Sequence, residues 1–127
     1  MAYSRDFTGS PLKRRILIVD DDPSLRNGMA RLVSMQGHEP ITAATVKESL
    51  ALLESGPTHI LLDMNLPDGV GTTVLRHVRT SKLPVKVAVL SGSMDSSLIK
   101  EAEALNPDAL FVKPPDWDAV LDWIATA

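Results

Sequence analysis

Four positions, far apart along the chain, carry side chains that could act together on a phosphoryl group. They are the acidic run Asp20-Asp21-Asp22, Asp63, Ser91 and Lys113. Taken singly each is ordinary: an acidic run before a helix caps it, a serine closes a turn, a lysine sits at the surface. Taken together they specify a chemistry. Carboxylates held close repel and raise one another's pKa values unless a cation neutralises them. An oxygen-only set without histidine or thiolate suits Mg2+. A lysine opposite such an ion leaves room for a phosphoryl group between two positive centres. One carboxylate placed in line can then form an aspartyl phosphate, and a nearby hydroxyl can donate to its oxygens.

That chemistry requires the four positions to meet, and the hydrophobic pattern supplies the means. Ile16–Val19 is a continuous apolar run rich in β-branched residues, the signature of a strand buried on both faces, and it ends at Asp20. Ile60–Leu62 ends at Asp63, Val85–Leu90 ends at Ser91-Gly92, and Leu110–Val112 ends at Lys113-Pro114. Pro40–Ala43 is a weaker strand whose proline places it near a sheet edge. Helical periodicity fills the gaps. Asp22 caps a helix with Pro23 at its first position and Leu25, Met29, Leu32 and Val33 on one face, terminated at Gly37. Thr45-Val-Lys-Glu48 has capping-box spacing before Leu50 and Leu53. Val70, Val74, Leu75 and Val78 mark a third helix, Leu98, Ile99, Ala102 and Leu105 a fourth, and Trp117, Val120, Leu121 and Ile124 a fifth. Leu66-Pro-Asp-Gly69 is a turn signal. Five strands alternating with five helices predict an α/β fold, a parallel sheet covered on both faces. Right-handed crossovers bring all strand C-terminal ends to one edge, where ligands of open α/β sheets bind.

Composition sets the outer bounds. The 127 residues suit one domain, with residues 1–13 expected as a flexible N-terminal lead and 14–127 as the folded unit. Thirteen Lys and Arg against 16 Asp and Glu give a net charge of −3, which argues against direct nucleic acid binding by this chain. Lys13-Arg14-Arg15, the tight basic cluster, reads as a solvated lead-in. The absence of cysteine excludes disulfides, thiolate zinc sites and cysteine nucleophiles. No apolar run reaches the roughly 18–20 residues of a membrane span, and Met1–Arg15 lacks a signal peptide's apolar stretch, so the expected location is cytoplasmic.

The segments Ile16-Leu-Ile-Val-Asp-Asp-Asp-Pro23, Asp63-Met-Asn-Leu-Pro-Asp-Gly69, Ser91-Gly92 and Lys113-Pro114 together resemble the receiver domain of bacterial two-component response regulators, from about Arg15 onward. The resemblance implies a flavodoxin-like (βα)5 doubly wound fold, three layers α/β/α, with parallel strands in the order 2-1-3-4-5. It implies Asp63 as phosphoacceptor, with Asp20 and Asp21 organising Mg2+, Asp21 directly and Asp20 partly through water. Asn65 matches the position whose backbone carbonyl reaches the metal, Ser91 the switch hydroxyl and Lys113 the phosphate-pairing lysine. Gly92 matches a small residue that leaves the acceptor accessible, and Pro114 a proline commonly preceded by a cis bond. The implied partners are a histidine kinase or phosphotransfer protein as donor and a downstream protein target or linked output domain as reader. The implied protein is no enzyme in the usual sense, catalysing only its own phosphorylation and dephosphorylation.

Two positions depart from the family pattern. Leu110 stands where an aromatic switch residue is frequent, and Phe111 beside it is expected on the opposite face of its strand. Pro115 replaces the usual apolar residue after Lys-Pro. Two other readings stay open at this stage. Asp20-x-Asp22-x-Ser24 loosely fits a Mg2+-dependent phosphohydrolase of the haloacid dehalogenase type, although that reading leaves Asp63 unexplained. A receiver that binds partners without phosphorylation is the other. His38, His59 and His77 are expected at the surface or in loops, and the five methionines as gap-filling core. Trp123 lies about 100° from Ile124 around the last helix, where an exposed anchor and partial burial against the preceding helix are both compatible.

Overall fold

The computed structural model of the chain describes residues 14–92 and 96–127, so the expected N-terminal lead, residues 1–13, lies outside the described residues. The elements follow in order: β1 (Arg15–Val19), α1 (Pro23–Met35), β2 (Glu39–Ala43), α2 (Val46–Leu52) with a 3-10 turn at Leu53–Ser55, and β3 (His59–Asp63). A two-residue hairpin, β4 (Asn65–Leu66) and β5 (Gly69–Val70), precedes α3 (Thr72–Thr80). Then come β6 (Lys86–Ser91), α4 (Ser96–Ala104), β7 (Ala109–Val112) and α5 (Trp117–Thr126).

Five strands form one parallel sheet in the order β2-β1-β3-β6-β7. With the small antiparallel hairpin set aside, this is the expected order 2-1-3-4-5. Side-chain alternation divides the core in two. Leu17, Val19, Ile60, Leu62, Val87 and Val89 face Val74, Leu75 and Val78 of α3 and Ala102 of α4. Ile16, Ile18, Leu61, Ala88 and Leu90 face Met29 and Val33 of α1 and Val120 and Ile124 of α5. Leu110 packs with the first cluster and Phe111 with the second, as strand alternation requires. Among the described residues, no helix is long and apolar enough to cross a membrane.

The helix ends follow local chemistry. Asp22 caps α1 by accepting from Ser24 N at 3.0 Å, Pro23 opens the helix, and Gly37 takes the left-handed φ of +87° beyond its end. Thr45 Oγ1 accepts from Glu48 N at 3.0 Å, while the Glu48 carboxylate reaches one residue further back, to Ala44 N at 2.7 Å. Pro115 is buried, and Asp116 takes over as cap of α5.

Four sequence expectations need correction. Val70 is not on α3 but in the hairpin, 36% exposed, because it pairs with Asn65 across the hairpin and the chain turns into α3 only at Gly71. Met35 is 72% exposed rather than core, since it lies about 200° round α1 from Val33, off the apolar face. His59 is neither in a loop nor on the surface. As the first residue of β3 it is 3% exposed and meets Trp123 edge-to-face at 5.2 Å, so Trp123 packs on the central strand. Arg14 and Arg15 are not a solvated lead-in. The Arg14 guanidinium donates to the Ile124 carbonyl and, at 2.9 Å, to the Ala127 carbonyl, while Arg15 donates to the Ser55 carbonyl and pairs with Glu39 at 3.3 Å. The carbonyls at the end of α5 lack intrahelical donors and carry the negative end of the helix dipole, which draws Arg14 inward.

Candidate functional site

At the C-terminal edge of the sheet the chain leaves β1 into a tight acidic turn. Asp20 is buried, and its main-chain N–H donates to the Ala43 carbonyl at 3.0 Å, so β2 fixes its backbone. One carboxylate oxygen accepts from Asp22 N at 2.9 Å. The Arg26 guanidinium, one turn into α1, donates to the Asp20 carbonyl at 2.9 Å. Asp21 is exposed beside it.

Asp63 is the last residue of β3 and is 5% exposed. The chain then folds back sharply: Met64 N donates to the Leu90 carbonyl at 3.2 Å, and Gly71 N returns to the Met64 carbonyl at 2.7 Å. This return demands glycine at 71, because a Cβ there would collide with the carbonyl oxygen of Asp63. Asn65, the exposed first residue of β4, has its main-chain N–H 3.4 Å from Asp63 Oδ1, a weak contact.

Lys113 follows β7, with its peptide bond to Pro114 cis. Its N–H donates to the Ser91 carbonyl at 2.8 Å, which ties the end of β7 to the end of β6. Ser91 is buried at that end, where β6 runs beside β3 with Leu90 opposite Asp63. A Cβ on Gly92 would rest 3.6 Å from Lys113 Cδ, so the lysine stem lies across the glycine. Its ammonium comes between two carboxylates, 2.9 Å from Asp20 Oδ2 and 3.2 Å from Asp63 Oδ1.

Oxygens of Asp20, Asp21 and Asp63 all lie within 4.8 Å of one another. Burial raises the Asp63 pKa and the charge of Asp20 adds to it, while Lys113 opposes both. Burial alone would lower the Lys113 pKa, but the hydrogen bond to Asp20 and the two carboxylate charges outweigh it and hold the ammonium charged. Three carboxylates against one ammonium leave excess negative charge at a site whose donors are all oxygen. Asp20, Asp21 and Asp63 could therefore hold a hard divalent cation.

The fold thus brings together Asp20, Asp21, Asp63 and Lys113, with Ser91 closing the adjacent strand and Asn65 beginning the loop after Asp63. Three residues beyond this set also shape the site: Arg26, Gly71 and Asp68. Asp68 carried a legible signal as part of a turn, but its partner is not local, since its carboxylate accepts from Val46 N at 2.7 Å and Lys47 N at 3.0 Å. The apolar hollow between Leu53, Pro57, Leu83 and Val85 is lined by none of the predicted site residues.

Comparison with known proteins identifies the family and the fold. The family model of the response regulator receiver domain matches residues 16–125. Response regulator protein PilR of Pseudomonas aeruginosa is 31% identical over 91% of this chain, which spans 26% of that protein. Sporulation initiation phosphotransferase F of Bacillus subtilis is 26% identical over 87% of this chain and 90% of its own length. A CheY-like response regulator receiver domain protein from Methanospirillum hungatei superposes with a TM-score of 0.83 at 29% identity, covering 89% of this chain and 91% of that one. The length of this chain is therefore about a quarter of PilR and nearly all of the phosphotransferase. With its acidic cluster and lysine converging at the edge of a 2-1-3-4-5 parallel sheet, the chain belongs to the response regulator receiver domain family.

Proposed function

We propose that the chain is a phosphoaccepting signalling module in which Asp63 takes a phosphoryl group from a phosphohistidine on a histidine kinase or phosphotransfer protein. The observation that carries this reading is the Lys113 ammonium, 2.9 Å from Asp20 and 3.2 Å from Asp63, beside the three-carboxylate cluster. A carboxylate oxygen of Asp63 attacks phosphorus; the P–O bond forms as the P–N bond to the donor imidazole breaks, and the imidazole leaves with the bonding electrons and takes up a proton. Lys113 then pairs with a phosphoryl oxygen, and Ser91 donates its hydroxyl to another. Asp20, Asp21, Asp63 and the backbone carbonyl of Asn65 would hold Mg2+, which when bound supplies positive charge to the phosphoryl oxygens.

The acyl phosphate biases a two-state surface that a downstream protein or a linked output domain reads, in the cytoplasm and without direct contact of this chain with nucleic acid. The phosphohydrolase alternative would need Asp20 as nucleophile. Both Asp20 carboxylate oxygens are already engaged, one by Lys113 and one by Asp22 N, and the residue is 1% exposed.

The test is intact mass after incubation with Mg2+ and acetyl phosphate. A gain of one phosphoryl group, stable to acid, labile to base and absent in Asp63→Asn, is expected. No gain, or a gain that persists in Asp63→Asn, overturns the proposal, and the former favours a receiver that works without phosphorylation.

A further inference from the structure

One short stretch braces both acid-bearing loops. At the end of β2, the Ala43 carbonyl accepts from Asp20 N at 3.0 Å. Three residues on, α2 begins, and its first two N–H groups donate to the two carboxylate oxygens of Asp68 at 2.7 and 3.0 Å. Asp68 sits in the turn of the β4–β5 hairpin, whose first residue, Asn65, is two positions past Asp63. The same turn rests on α2 through Gly69, where a Cβ would lie 3.6 Å from Val46 Cγ2.

Asp68 is not needed to make α2 a capped helix. Thr45 Oγ1 already accepts from Glu48 N, and the Glu48 side chain accepts from Ala44 N. The two remaining first-turn donors would ordinarily go to water. Here an exposed carboxylate on a different loop takes both, in charge-assisted bonds aligned with the positive end of the helix. The arrangement therefore fixes one loop against another rather than completing a helix end.

We infer that Asp68 is a positioning residue: by clamping the hairpin to α2, it holds the backbone of Asn65 in register with the acidic turn of Asp20 and Asp21, where β2 holds the Asp20 backbone from the other side. This inference rests on the proposed phosphoacceptor reading, in which those groups share one Mg2+ ion.

Mg2+ titration calorimetry on the full chain, with thermal melting in chelator, separates clamping from capping. Asp68→Ala and Thr45→Ala each remove acceptors at the start of α2 and lower the melting temperature, but only Asp68→Ala frees the hairpin. The expected result is Mg2+ binding weakened roughly three- to tenfold in Asp68→Ala, less than the loss of a ligand's own hydrogen-bond partner, and within about twofold of the unsubstituted chain in Thr45→Ala. Asp68→Asn keeps one acceptor oxygen and falls between the unsubstituted chain and Asp68→Ala. Unchanged affinity in both Asp68 variants, or equal weakening in Thr45→Ala, overturns the inference while leaving the phosphoacceptor reading intact. Failure of the unsubstituted chain to bind Mg2+ or to gain a phosphoryl group on Asp63 removes the reading itself, and the inference with it.

Discussion

The ammonium of Lys113 stands 3.2 Å from Oδ1 of Asp63, with the buried carboxylate of Asp20 2.9 Å away on its other side. One cation thus compensates two buried anions, and its own side chain is only 20% exposed. Removing the cation leaves both anions uncompensated, which costs far more than the pair contributes by forming. Lys113→Met, which keeps the apolar stem across Gly92, is expected to lower unfolding free energy by about 2–4 kcal/mol in chelator. Added Mg2+ should restore part of that loss, because a second cation can answer the same charge. Urea denaturation with and without Mg2+ measures both effects, and a variant as stable as the parent in chelator contradicts this account.

Asp63 responds in the opposite sense. Burial raises its pKa, so the folded chain binds this proton more tightly than the unfolded chain. The stability linked to that proton is complete below the ordinary carboxylate range and is lost as pH rises through the raised value. At neutral pH the ionised side chain is therefore a cost to the fold. In chelator at pH 7, Asp63→Asn should melt a few degrees above the parent, with the gap closing towards about pH 4. Mg2+ should narrow the gap by stabilising the parent alone. A lower melting temperature for Asp63→Asn in chelator at pH 7 would show that Lys113 outweighs burial.

Much of this site was legible because each reactive residue directly follows the apolar run of a buried strand. Parallel strands covered on both faces read as nearly continuous apolar runs, so Ile16–Val19, Ile60–Leu62 and, interrupted once by Lys86, Val85–Leu90 mark both the strands and where they stop. Asp20, Asp63 and Ser91 are the next residues, and topology does the rest. What stayed hidden depends on contacts between elements. Asp68 reads as a turn residue until α2 is placed beside it. Gly71 looks like any loop glycine until the chain folds back over Asp63. His59 is polar, yet its place as the first residue of β3 puts it under Trp123, and nothing in its local sequence says so. Arg14 likewise gains its role only when the end of α5 arrives next to β1.

Gly71 offers a sharper test of the return after Asp63. Its φ is not in the left-handed region, so backbone strain is not the issue. The constraint is space, since a single methyl group would strike the Asp63 carbonyl oxygen and crowd Met64 Cα at 3.1 Å. Neither neighbour is a flexible side-chain end, so the backbone itself must move. Gly71→Ala should cost about 2–3 kcal/mol, at the upper end of what overpacking a tight site costs. It should also slow phosphorylation by acetyl phosphate, because the displaced backbone is that of Asp63. A parent-like urea midpoint in Gly71→Ala would mean that the loop relaxes freely, and the return would then be no constraint on the site.

The opposite end of the sheet sets the response to acid. Burial, reinforced by the Arg14 guanidinium, pushes the His59 pKa down to about 4. Its Nε2 lies 3.5 Å from Arg14 Nη1 and its ring packs edge-to-face with Trp123, so a protonated imidazole would face a like charge in a buried setting. The folded chain therefore binds this proton less readily than the unfolded chain, whose histidine titrates near pH 6.5. The linked stability is fully present above about pH 6.5 and falls away as pH drops towards about 4, by at most about 3 kcal/mol over the window. His59→Gln should flatten the stability profile between those values. Urea midpoints at pH 7, 6 and 5 decide the matter. Because Asp63 contributes with the opposite sign, the decisive quantity is the difference between parent and His59→Gln, and a difference that does not vary with pH would show that His59 is not the group responsible.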